Sequence, residues 1–431
     1  MIVRLFFSIL CLLLTPVNAK TLKYQPAPPD NPLKGLVPYA SEWKKDRFPH
    51  SMEFSYISMD SLMKSWGSYD WEPLEKILNE SQGRGKQTIF RVYLEYPKKK
   101  SALPEFLLKE GVKITEWKSG DGGNFTPDYE NPKLRRAMGE FIAKLGKKYD
   151  GDPRIGFITM GMIGMWGEWH NFPRQELLAS KEVQKEVMKS FDDAFSKTHI
   201  LMRYPAGAGN YHYADNSEAN VGYHDDSFGW ATIETGKKEE DWFFDPSMKA
   251  AGLKEIWKIL PIGGEVRPET WKTTFTDELI PKQQDFMKCV EATRVSWLMD
   301  SGVYQDKIPL GEERKAKAIQ AVQRMGYEFF IKEASLEGQD LILKIKNRGV
   351  APFYYDWPVY LGTSVSNMKA LPQNLSVKLS GILPGQTVEW RIRLLTEASE
   401  IVLSVPNPMR GGISLRFANQ ESDGERVVIR F

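Results

Sequence analysis

The chain has 431 residues, a formal charge of +2 and 12% aromatic residues. That length exceeds one ordinary domain, or fits one large barrel with an appendage. The near-neutral, interspersed charge excludes the basic footprint of a nucleic-acid-binding protein, and the short run Lys98-Lys99-Lys100 reads as a solvated loop.

Residues 1–19 read as a secretory signal. Arg4 supplies the positive start, Leu5 to Leu14 the apolar stretch, and Val17-Asn18-Ala19 the small-residue cleavage site. The apolar stretch is too short to span a bilayer comfortably. Cys11 follows Leu10, where a lipoprotein signal would place a small residue. After cleavage only Cys289 remains, so no internal disulfide can form, and its setting in "QQDFMKCVEATR" reads as helical core. No other apolar run reaches membrane-spanning length. The expectation is a soluble exported protein, in a bacterial periplasm or outside the cell, with no membrane partner once the signal is removed.

From residue 34 to 325, strand-like and helix-like stretches alternate. Eight strands are predicted: 34–40, 54–59, 87–96, 155–164, 199–205, 219–226, 258–266 and 295–300. They are short, apolar and rich in aromatic or β-branched residues, as suits strands buried on both faces. Between them lie amphipathic helices. In "NPKLRRAMGEFIAKLGKKYD", Asn131 is an N-cap, Pro132 takes the first helical position, and Leu134, Met138, Phe141, Ile142 and Leu145 form one stripe. Similar stripes occupy 174–195 and 311–327. Eight such units predict an α/β fold, a (β/α)8 TIM barrel. No glycine-rich phosphate turn follows the first strand, which argues against an open doubly wound sheet.

Beyond about residue 327 the period changes to two. Leu341, Leu343 and Ile345 alternate with Lys344 and Lys346; Val388, Trp390, Ile392 and Leu394 alternate with Glu389, Arg391 and Arg393. This predicts a small antiparallel β-sandwich. The expected division is a signal over 1–19, a barrel over 20–326 and a sandwich over 327–431.

Barrels of this kind hold their active sites at the carboxyl ends of the strands. Glu168, in "GMWGEWH", ends the fourth strand, and Glu265, in "GGEV", ends the seventh. Each follows a glycine, which permits close approach of backbone or ligand. Two glutamates facing each other across a barrel mouth are what glycoside hydrolysis requires. Glu168 is expected to be the general acid, raised in pKa by the flanking indoles, and Glu265 the nucleophile or base. Arg91, Tyr93, His224 and Asp226 are expected to contact substrate, and Trp166, Trp169, Trp230 and Trp297 to offer stacking faces. The bland reading of a strand-end glutamate is a solvated loop residue or a salt-bridge partner. His224, Asp225 and Asp226 are potential metal ligands, but neighbours on a strand point to opposite faces. With no HExxH, no paired cysteines and no GxSxG, neither metal, cofactor nor serine nucleophile is expected.

"NPLKGLVPY", "GMWGEWH", "VGYHDDSFG", "LPIGGEV" and "KIKNRGVAPFYYDWPVYL" occur in this order. Together they resemble a family of secreted bacterial proteins of unassigned function, similar to glycoside-hydrolase barrels with a C-terminal β-sandwich. The wider resemblance is to clan A glycoside hydrolases, which implies a retaining barrel enzyme with its acid/base at Glu168 and its nucleophile at Glu265. Those enzymes usually carry asparagine before the acid/base; this chain carries Gly167. β-Amylase-like barrels also place glutamates after strands 4 and 7, and invert. The implied partner is a poly- or oligosaccharide substrate. The rival reading is a carbohydrate-binding barrel without turnover. The sandwich is expected to pack on the barrel rather than act as a surface module.

Overall fold

The computed structural model describes residues 18–41, 47–370 and 372–431. Eight parallel strands form one sheet: β1 (Gly35–Val37), β2 (Met52–Ser58), β3 (Gln87–Tyr93), β4 (Ile155–Thr159), β5 (Ile200–Met202), β6 (Gly222–Phe228), β7 (Ile262–Val266) and β8 (Trp297–Met299). Each strand pairs with its neighbour in sequence, and β8 pairs with β1. The seam between β1 and β2 is closed by a parallel bridge from Tyr39 to Phe54. The result is the expected TIM barrel. Its strands are buried on both faces because side chains fill the interior and helices cover the outside, which is why they read as continuous apolar runs.

Every strand but β2 is shorter than predicted, and two of the differences bear on the site. β4 stops at Thr159, not Gly164, and β7 starts at Ile262 after a tight helical turn over Ile256–Lys258. After β4 the chain coils: Met162, Gly164, Trp166, Gly167 and Trp169 all have left-handed φ, between 54° and 77°. Apolar residues there mimic a strand, but they point into packed turns.

Three helices have the predicted stripes, α1 (Pro132–Tyr149), α2 (Lys181–Ala194) and α3 (Glu312–Arg324), and α1 has the predicted cap. The Asn131 side chain accepts from Lys133 N at 3.0 Å, and Ser180 caps α2 through Val183 N at 3.4 Å. α1 and α2 pack closely at Gly146, where a Cβ would meet Ala194 O at 2.3 Å.

The sandwich consists of two four-stranded antiparallel sheets. One is built from Phe329–Glu337, Asp340–Asn347 and Thr387–Arg393, with Asn18–Thr21 as an added edge strand. Residues 18–21 therefore join the sandwich, not the barrel. The predicted cleavage point after Ala19 falls inside this edge strand, while the rest of the predicted signal, residues 1–17, lies outside the described residues.

One apolar cluster runs from inside the barrel into the sandwich. It joins Phe54, Phe157 and Trp297 to Phe329, Leu343 and Trp357. At the amino ends of the strands, Tyr355 Oη donates to Gly156 O at 2.6 Å and Tyr354 Oη to Trp257 O at 2.7 Å. The sandwich is thus the floor of the barrel. Removing residues 327–431 would expose that floor to water. The expected outcome is an aggregated or unfolded product by circular dichroism and gel filtration. A soluble, cooperatively melting 20–326 fragment would contradict this.

Candidate active site

A cleft of about 660 Å3 opens at the carboxyl ends of the strands, and both Glu168 and Glu265 line it. Glu168 is placed by tight turns: Gly167 N donates to Gly164 O at 2.9 Å and Glu168 N to Met165 O at 2.8 Å. The fit is tight around Gly167. Its φ is +71°, and a Cβ there would lie 3.1 Å from both Gly161 Cα and Val92 O. An asparagine before the carboxylate, as in clan A enzymes, would strain this turn.

The turns are anchored from behind by Glu95, just past β3 and almost fully buried. Tyr129 Oη donates to its carboxylate at 2.6 Å, Asn171 Nδ2 donates at 3.4 Å, and Thr126 Oγ1 also donates. Tyr129 Oη in turn accepts from Gly164 N at 2.8 Å. Burial raises Glu95 to about 7 despite these donors.

In the cleft itself, Glu168 is surrounded by donors. Arg91 Nη1 donates to its Oε1 at 2.8 Å, Tyr56 Oη to the same oxygen at 3.1 Å, and Arg203 Nη1 to Oε2 at 3.0 Å. Asp226 lies between the same two guanidiniums, 2.7 Å from Arg203 and 3.7 Å from Arg91, and pairs with His224 Nδ1. Burial alone would raise Asp226. The charges of Arg203 and Arg91, with the hydrogen bond to His224, outweigh it and hold the carboxyl well below the usual carboxylate range. Burial lowers His224 and His170, favouring neutral imidazoles.

Glu265 is as buried as Glu168 but differs in its partners. No hydrogen bond or ion pair reaches it among the described residues. Burial, then the charges of Glu168 and Asp226, push its carboxyl well above the ordinary value, against the opposing pull of Arg91 and Arg203. The cleft therefore holds one carboxylate bound by three donors beside a carboxyl group that favours its proton.

The structure brings together part of the predicted set. Trp166 and Asp226 line the cleft with the two glutamates. Arg91 lies beneath it, 2% exposed, and reaches Glu168 rather than open space. His224 is equally buried and acts on Asp226. Trp169 and Trp297 have no exposed surface and cannot stack on a sugar. The Trp169 indole donates to Met160 O at 3.1 Å, so the left-handed turn carries it into the core. Trp297 fills the barrel interior against Phe157. Tyr93 lines a separate depression. Trp230 is absent from the cleft wall, although it follows β6. The cleft aromatics are instead Tyr39, Tyr56, Tyr96, Trp166, Phe172 and Trp271. Arg203, at a predicted strand end, carried the right signal; Tyr56, inside a strand, carried none.

Alternation along β6 sends Asp225 away from His224 and Asp226. It accepts from Thr232 Oγ1 at 2.7 Å, and burial raises it to about 7. No group of three His, Cys, Asp or Glu side chains suited to a metal is present among the described residues.

The raised carboxyls fix a pH dependence. Unfolded, Glu95, Asp225 and Glu265 would titrate near pH ~4. Their folded values are higher, so the stability they contribute is complete below about pH 4 and is lost as pH rises through about 7 and beyond. Buried neutral His170 and His224 act in the opposite sense as pH rises through about 6.5, so the carboxyl contribution is read as a difference between variants. Relative to wild type, Glu95→Gln is expected to gain about 2 °C or more in melting temperature between pH 5.5 and pH 8. An unchanged or opposite difference would contradict the assignment.

No family model matches the chain, and no curated protein matches it. Three similar solved structures are endo-glycoceramidase II from Rhodococcus sp. in its ganglioside GM3 complex, the β-galactosidase of Marinomonas ef1, and a GH5_18 protein from Bifidobacterium longum subsp. longum. The first has TM-score 0.43 and 10% identity over 87% of this chain and 100% of that one. The second has TM-score 0.40 and 10% identity over 67% and 59%. The third has TM-score 0.40 and 8% identity over 64% and 70%. Likeness at this level carries no argument about the reaction.

Proposed function

We propose that the protein is an exported glycoside hydrolase acting on a poly- or oligosaccharide. The observation that carries this reading is the unequal carboxyl pair at the ends of β4 and β7. Glycoside hydrolysis needs a proton donor for the leaving oxygen and a carboxylate across the sugar from it. The surroundings support exchanged roles relative to the sequence expectation. Glu265 is the proton donor and Glu168 the carboxylate, because burial and like charges favour a protonated Glu265, while Arg91, Tyr56 and Arg203 donate to Glu168 and no donor reaches Glu265 among the described residues.

As the C–O bond breaks, the Glu265 proton passes to the departing oxygen. Glu168 either captures the anomeric carbon, for water to release it later, or takes a proton from the water that attacks. The anomer formed, read by proton NMR, separates the two courses. Export is part of the proposal and rests on the N-terminal signal pattern.

One observation favours the rival reading of a binding protein without turnover: Arg91, Tyr56 and Arg203 already occupy both Glu168 oxygens. A glycan panel assayed for both binding and release of reducing ends discriminates. Binding by calorimetry with no product from any bound glycan would favour the binding protein.

A further inference from the structure

Beside the cleft lies a second depression, of about 350 Å3, lined by Ser58, Asp60, Tyr93, Lys99, Lys100 and Ser101. A wall of tyrosines separates the two. Tyr96 lines the cleft, and its ring centroid is 5.2 Å from that of Tyr93 and 5.5 Å from that of Tyr56, which touches Glu168. Lys99 is exposed, and its ammonium sits 3.7 Å over the Tyr96 ring and 5.5 Å from that of Tyr93.

The loop holding these lysines is pinned. Lys98 N donates to Gly123 O at 2.8 Å, Ala102 N to Leu94 O at 3.0 Å, and Asp60 N to Ala102 O at 3.0 Å. Lys98 has a left-handed φ of 66°, an uncommon conformation for a lysine. No carboxylate pairs with Lys98, Lys99 or Lys100 among the described residues. The run is an exposed loop, as the sequence suggests, held by backbone hydrogen bonds so that its cations rim a depression next to the cleft. Asp60, on the same wall, opposes an anion at its own end of the depression and offers an acceptor for sugar hydroxyls there.

We propose that this depression is a subsite for a glycan residue carrying an anionic group, a uronate carboxylate or a sulfate ester, recognised by Lys99 and Lys100. The substrate would then be an acidic polysaccharide whose scissile bond lies in the main cleft. The inference rests on the carbohydrate reading of that cleft, but not on turnover.

The test is calorimetric binding to the full chain carrying Glu265→Gln, with and without Lys99→Ala and Lys100→Ala. The probes are a panel of uronate oligosaccharides, a panel of sulfated oligosaccharides, and their uncharged parent sugars. The expected result is binding by one anionic panel, weakened about tenfold by the two lysine substitutions and by raised salt. The panel that binds identifies the anion. Because both lysines are exposed, an unchanged melting temperature shows the variant is folded. Equal binding of charged and uncharged sugars, binding indifferent to the substitutions, or no binding by either anionic panel would overturn the proposal. Lysine-dependent binding with no hydrolysis of any glycan by the unsubstituted protein would leave the subsite standing and defeat the hydrolase. Hydrolysis of uncharged glycans, unaffected by the lysines, would do the reverse.

Discussion

Replacing Glu265 by glutamine is expected to slow hydrolysis of an unactivated glycosidic bond by about a thousandfold. Glutamine keeps the size and loses the transferable proton. A glycoside whose leaving group is a nitrophenolate needs little protonation, so its hydrolysis should stay within about tenfold of wild type. Glu168→Gln should depress both substrates alike, since it removes the carboxylate that meets the anomeric carbon. The Glu265 substitution breaks no hydrogen bond or ion pair among the described residues. It also removes a buried carboxyl that ionises unwillingly, so stability above pH 7 should hold or improve. Steady-state rates on the two leaving groups, with melting curves beside them, check the whole set. Equal losses on both substrates for Glu265→Gln would remove it as proton donor.

Arg91→Leu is expected to cost about 3–5 kcal/mol of stability, because it breaks a buried pair by removing one partner. The guanidinium holds Glu168 at 2.8 Å, and its Nε donates to Thr159 at 3.0 Å. It also helps hold Asp226 below the usual carboxylate range. A depressed carboxyl contributes stability that is present above its unfolded pKa of ~3.9 and is lost as pH falls through the folded value. The deficit of Arg91→Leu should therefore be largest above about pH 4 and should narrow under more acid conditions. Arg91→Lys restores a charge without the planar fork and should recover only part of the loss. Denaturant unfolding at pH 7 and pH 3.5 measures this. A deficit below about 1 kcal/mol at pH 7 would show that the network does not depend on Arg91.

The barrel was legible because all eight strands carry the same signature of short apolar runs between amphipathic helices, and Asn131 and Pro132 mark a helix start by local chemistry. The sandwich was legible from its period of two. The two glutamates were found by the strand-end rule alone. The rest of the site was not, for definable reasons. Trp169 sits beside Glu168 in sequence, but a left-handed turn sends its indole into the core. Trp297 lies on a strand whose interior face is packed by the sandwich floor. Tyr56 reaches Glu168 from the middle of β2, where no residue-type pattern separates a cleft tyrosine from a core one. The distribution of charge was also hidden. Sequence suggested indoles around Glu168, whereas folding places Arg91 and Arg203 there and leaves Glu265 unpaired. Gly167 is a sequence feature whose meaning only the backbone supplies: at φ +71° with two backbone atoms 3.1 Å from its missing Cβ, a side chain there would strain the turn.

The most direct test of the central claim is release of reducing ends from a broad glycan panel by the wild-type protein, Glu168→Gln and Glu265→Gln, assayed together at one pH. The account predicts that at least one glycan is cleaved by the wild type and that each substitution removes nearly all of that activity. Cleavage of the same glycan at the wild-type rate by both variants would contradict it.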